Sequence, residues 1–184
     1  MNPLGSARLA TLAGCGLAIG GYPRFRYDAT GGGGVGQLEP PDASGWQALE
    51  FDPAALQIPP LEGRTTRVLG LPLPPGLVIA VAPERLAGRL DPVSGLLQLR
   101  FQARFRFRIG SLYRAPDLLI DTELSTEPLR SHRHGVAGRR LDAAGMALLV
   151  GVATVDPSGD PWLDRFLGLP DEALALLRCQ LMLR

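Results

Sequence analysis

The chain contains no lysine; all 19 of its basic residues are arginine. Without lysine there is no Schiff-base amine and no P-loop ammonium, which closes two routes of covalent and phosphate chemistry. The absence reads as a codon effect, because Arg, Ala, Gly, Pro and Leu are abundant together, as a GC-rich genome makes them. Cysteine is also scarce. Cys15 and Cys179 stand near opposite ends, too few for a disulfide framework and without the spacing of a zinc site. The apolar run Leu9 to Ile19 is too short and too glycine-rich to cross a bilayer as a helix. Net charge is +1 over 184 residues, so no overall field draws the protein to nucleic acid, and no nucleic-acid partner is expected. What remains, 46% apolar and 20% charged, is the composition of a single globular domain with a core of its own.

Residues 1–21 read as an N-terminal apolar tail or targeting segment, and 22–184 as one β-rich domain with a Gly/Pro-rich loop region at 30–60. Leu12-Ala13-Gly14-Cys15 resembles the bacterial lipobox, whose cysteine becomes the lipidated N-terminus, and this makes Cys15 a candidate lipidation site. The apolar stretch between Arg8 and the box is shorter than export signals usually have, so a plain tail stands beside the leader as an alternative. A single lipid chain would hold the protein to a membrane only weakly.

The strand signal is clearest at "LLQLRFQARFRFRIG" (96–110). From Leu97 to Ile109 apolar residues occupy every second position, and Arg100, Arg104, Arg106 and Arg108 lie on the opposite face. That is a strand with one buried side. "DLLIDTELSTE" (117–127) alternates in the same way, and the short link predicts antiparallel pairing. Matching charges across the pair predicts Arg104 opposite Glu123, Arg106 opposite Asp121 and Arg100 opposite Glu127. "LVIAVAP" (77–83) reads as a strand ending at Pro83, and "DPVSG" (91–95) as a turn. "MALLVGVATVDP" (146–157) is apolar on both faces, hence a central strand. Asp160 followed by Pro161 predicts a short helix in 158–170, and 171–184 reads as one helical turn followed by a closing strand. The whole is an all-β fold, an antiparallel sandwich or open barrel with a short helix near the C-terminus.

Candidate chemistry is sparse. Gly31-x-Gly33-x-x-Gly36 has dinucleotide spacing, but Gln-Leu-Glu-Pro-Pro follows where a helix must start, so a flexible loop is the reading. His132 and His134 lack a third ligand nearby and read as a solvated loop. Asp156, Asp160 and Asp164 read as turn and cap residues. No catalytic residue, cofactor-binding residue or metal ligand is assigned, and no cofactor is expected. One apolar group stands out: Trp162, Leu163, Phe166 and Leu167, a candidate docking surface, with a helical cap or a lid over a cavity as the other readings.

"IPPLEGRTTRVLGLPLPPGL", "LDPVSGLLQLRFQARF" and "VDPSGDPWLDRFLGLP" give residues 51–184 a resemblance to small cyanobacterial proteins, for which relatives in plastids would be expected. The resemblance implies a cell rich in internal membranes; it implies no activity and no site residue. The sequence therefore leads to a non-enzymatic accessory or assembly protein. Its expected partner is an unknown protein or a membrane surface, with attachment through the N-terminus. The alternative is a carrier of an apolar small molecule, lipid or pigment, in a cavity between the sheets.

Overall fold

The computed structural model describes residues 4–184. The strands in chain order are β1 Gly5–Thr11, β2 Cys15–Ile19, β3 Phe25–Tyr27, β4 Gly33–Leu38, β5 Gln47–Phe51, β6 Thr66–Val68, β7 Leu71–Pro72, β8 Leu77–Asp91, β9 Leu96–Ile109, β10 Tyr113–Arg114, β11 Leu118–Ser125, β12 Pro128–Arg130, β13 Gly135–Ala137, β14 Met146–Val155 and β15 Asp171–Leu183. The helix α1, Pro161–Leu167, joins β14 to β15. The fold is all-β and antiparallel with one short helix near the C-terminus, as the strand patterns predict. β1 pairs with β4 on one edge and with β15 on the other, so the path β1-β4-β5-β8-β9-β11-β14-β15 returns to its start. The sheet thus closes on itself as an eight-stranded barrel.

The wall forks at two places. At Leu12–Gly14 the first strand bends; β1 before the bend pairs with β4 and β15, whereas β2 after it pairs with β15 and β3. In β8 a bulge lies between Pro83 and Arg85. Residues Leu86–Leu90 pair with β5 on one side of the bulge, and Ile79 pairs with Leu61 on the other. One end is therefore closed by β1, β4 and β5. The other is walled by β2, β3 and β6, with β7 beyond them. Pro83 does not end its strand, because a bulge tolerates a residue without an N–H.

Residues 1–3 lie outside the described residues; most of residues 4–21 forms β1 and β2. The lipobox-like residues sit at the fork. Cys15 is 3% exposed, and its thiol donates to the Leu12 carbonyl at 3.2 Å. Cleavage ahead of Cys15 would remove β1, the strand that closes the ring. The glycine run is not a free loop. Gly33 has φ +113°, and a Cβ there would lie 1.9 Å from the Leu9 carbonyl oxygen. A Cβ at Gly36 would lie 2.9 Å from both the Phe51 ring and the Glu50 carbonyl oxygen. These glycines let β4 approach β1 and β5, a use of glycine that periodicity does not reveal. Asp171–Leu183 is strand throughout, without the expected helical turn, because ladder partners on both edges outweigh its helix-favouring residues.

β9 and β11 are antiparallel neighbours, but the expected register is wrong by four residues. Arg104 faces Leu119, and Glu123 faces Arg100. The cause is the link between them. The chain reverses at once after Ile109, β10 pairs back on β9, and Leu118 then falls opposite Phe105. An offset of four preserves side-chain parity, so both apolar sets still point inward. The arginines find carboxylates on both sides. Arg100 grips Asp121 with two bonds of 2.6 and 2.7 Å. Arg104 reaches Glu84 at the β8 bulge, and Arg106 lies 3.6 Å from Asp117.

Gly33→Ala is expected to lower stability by more than about 1 kcal/mol, since the new methyl meets backbone. Gly31→Ala, also at positive φ but in open space, should cost only the backbone strain of about 1 kcal/mol. Urea unfolding midpoints of the two variants measure the difference.

Candidate functional site

The half of the barrel walled by β2, β3 and β6 holds a cavity of about 420 Å³. Its existence follows from residue sizes. β14 and β15 put four small residues on the same patch of wall, Gly151 opposite Ala175 and Ala153 opposite Ala173. Phe101, Phe105 and Phe107 of β9, with Ile79 of β8 and Leu17 of β2, also line the space. Gly151 is further constrained, because a Cβ would lie 2.8 Å from the Glu123 carbonyl oxygen. Close packing is met at the end closed by β1, β4 and β5 by Leu49, Leu90, Leu97, Leu99 and Leu149, all essentially without exposure.

The hydroxyls of the lining are turned into the wall. The Thr11 hydroxyl donates to the Ala29 carbonyl at 2.6 Å, and that of Thr122 to Val152 at 3.0 Å. The Tyr27 hydroxyl donates to the Pro59 carbonyl, and Tyr22 to Phe166. Burial pushes the Tyr27 phenol and the Cys15 thiol above their ordinary ranges, so both remain neutral. Burial pushes Cys179 up to about 12. Neither thiol is activated for nucleophilic chemistry.

The helix lies at the cavity end of the barrel. Asp160 caps it, accepting from the Trp162 and Leu163 amides at 2.9 and 3.4 Å, and Gly168 ends it with φ 71°. Of the candidate docking residues, Leu163 and Leu167 are buried against Phe107, Leu118 and Val155. Trp162 and Phe166 are 50% and 44% exposed, and their rings stack 5.2 Å apart. Tyr113 meets Trp162 edge-on and donates to Asp160 at 2.5 Å; Tyr22 lies 5.9 Å from Phe166. The helix covers a weak seam. Among the described residues β11 and β14 share a single ladder pair, Ser125 opposite Val150, and the Thr122 hydroxyl bridges the strands beyond it.

The histidines lie elsewhere, in the turn between β12 and β13. Glu172 binds this turn, accepting from Ser131 Oγ at 2.7 Å and from the His132 amide at 2.9 Å. Arg133 forms a two-pronged pair with Asp171. Asp164 accepts from Ser158 at 2.6 Å, so Asp160 and Asp164 do turn and cap work. Among the described residues no three metal-ligating side chains converge. The cavity itself was visible in the sequence only as the small residues Gly151, Ala153, Ala173 and Ala175, whose pairing depends on the register of two strands.

The Tyr113 hydroxyl, then the helix amides, holds the Asp160 carboxyl below its ordinary value of 3.8. A carboxylate with a depressed folded-state pKa stabilises at pH above its unfolded value and loses that contribution as pH falls through the folded one. In a Trp46→Phe background, Trp162 fluorescence should therefore hold steady until the pH drops below 3.8. Asp160→Asn should alter the Trp162 spectrum already at neutral pH and flatten the acid transition.

No protein-family model matches this chain, and no curated protein or solved structure matches it either.

Proposed function

We propose that the protein is a binding protein or carrier for an apolar small molecule held in the barrel. The observation that carries this reading is the cavity of about 420 Å³, whose lining hydroxyls already donate to wall carbonyls. Its size falls in the range of small-molecule sites. An eight-stranded barrel is wide enough to hold one small ligand.

The lining chemistry defines the ligand class. With its hydroxyls spent on the wall, the site offers dispersion and desolvation and little directional recognition. The ligand is therefore an uncharged, largely hydrocarbon molecule, such as a lipid chain or an apolar pigment. A charged headgroup would have no counter-charge inside, and its burial would be costly.

N-phenyl-1-naphthylamine, a neutral probe that fluoresces in apolar surroundings, should bind the wild-type protein with one site per chain. Ala175→Phe fills the space from the small-residue patch. It should weaken probe binding by about tenfold or more while leaving thermal stability equal or higher, as cavity-filling substitutions do. Retained probe affinity in a folded Ala175→Phe protein would sink the reading.

A further inference from the structure

Arg100, Arg104, Arg106, Arg133 and Arg140 have carboxylate partners. Two arginine pairs near the cavity end face each other instead. Arg26 of β3 lies directly opposite Arg67 of β6, and Arg108 of β9 directly opposite Arg114 of β10. All four are exposed, and among the described residues none has a carboxylate within ion-pair distance. Like charges facing each other across strands oppose the fold. At two such pairs a bound anion would relieve the repulsion.

Between these arginines the same end carries protruding apolar side chains. Leu69 is 80% exposed, Leu71 70% and Leu112 92%, and the half-exposed Tyr22, Trp162 and Phe166 continue the set. They share one end because their elements do. Phe25 of β3 pairs with Val68, next to Leu69. Gly76, just before β8, bonds Gly110, close to Leu112. Tyr22 bonds the helix residue Phe166. Leu69 is also the non-glycine residue with positive φ, 52°, among the described residues. A leucine is held at the tip of a tight hairpin in a conformation that suits glycine or asparagine.

We infer that this rim docks on a bilayer containing anionic phospholipid, with the cavity end of the barrel turned to the membrane. Separate apolar tips on several turns suit insertion into a fluid interface, whereas a protein partner would call for a continuous face. Exposed arginine pairs suit phosphate, which a guanidinium binds in bidentate fashion. The inference stands on rim residues and goes beyond the carrier reading, which rests on the interior.

The test is flotation of the full chain with vesicles of phosphatidylcholine alone or mixed with phosphatidylglycerol. The wild type should float with the mixed vesicles, poorly with the neutral ones, and less as salt rises. Arg26→Gln/Arg67→Gln removes one like-charge pair, so folding should be unharmed and vesicle affinity should fall about tenfold or more. Leu69→Ser/Leu71→Ser should lose about tenfold as well, through lost insertion, while its solution affinity for N-phenyl-1-naphthylamine is unchanged. Arg8→Gln/Arg139→Gln, two exposed arginines near the opposite end, should change binding less than about twofold if position and not total charge matters. The inference is overturned if the wild type does not float with phosphatidylglycerol vesicles. It is equally overturned if the rim variants bind as the wild type does, which would leave the rim to a protein partner, or if the distal variant loses as much as the rim variants. Flotation without probe binding would remove the carrier reading alone; probe binding without flotation would remove the docking alone.

Discussion

Everything in this molecule depends on the meeting of its two chain ends. β15 pairs with β1 over Ala7–Thr11 and with β2 over Gly16–Ile19. That contact turns a long meander into a ring and satisfies two edges that would otherwise template aggregation. It also explains why a segment that reads as a tail is structural. Leu9 and Ala7, inside the first ten residues, are core residues of the end closed by β1, β4 and β5. A ladder between the first and last strands is the most non-local contact a chain can make, so closure comes at the highest loop entropy.

The cavity is a consequence of how the ring is closed. A uniform eight-stranded barrel fills its interior with side chains. Here the first strand bends at Leu12–Gly14 and β8 bulges at Pro83, so the wall takes in β3 and β6 at one end in place of β4 and β5. The perimeter changes while the side chains on β14 and β15 become small. Both changes act in the same direction, and space is left between Gly151, Ala153 and the phenylalanines of β9. The helix then covers the seam between β11 and β14 with two leucines inward and two aromatics outward.

Arginine serves two distinct physical purposes on the outside of this barrel. Arg100, Arg104 and Arg106 form ion pairs that tie neighbouring strands; they are exposed, so they select register more than they add stability. At the rim the same side chain is set against itself, Arg26 facing Arg67 and Arg108 facing Arg114. A codon preference accounts for arginine being the cation used. It does not account for where the cations meet carboxylates and where they meet each other, which is set by sheet order.

Local signals were legible where the determining physics is local. Strict alternation from Leu97 to Ile109 made a strand of β9 because its apolar face must be buried whatever covers it. Asp160 and Pro161 started a helix because a cap and a fixed φ act within one turn, and Asp91 to Gly95 made a turn for the same reason. The alternation also determined that β9 and β11 share an inner face. What lay beyond the sequence were quantities defined between distant residues. The register of β9 and β11 depended on where the chain reversed after Ile109, and charge matching alone chose a pairing four residues off. The glycines from Gly31 to Gly36 looked like a loop because nothing local shows that β1 and β5 must come within contact of their backbone. The same holds for Leu163 and Leu167, whose apolar neighbours Trp162 and Phe166 remained outside. The cavity belongs wholly to the tertiary level: volume is the difference between the space a closed wall encloses and the side chains that enter it, and neither is defined until the last strand meets the first.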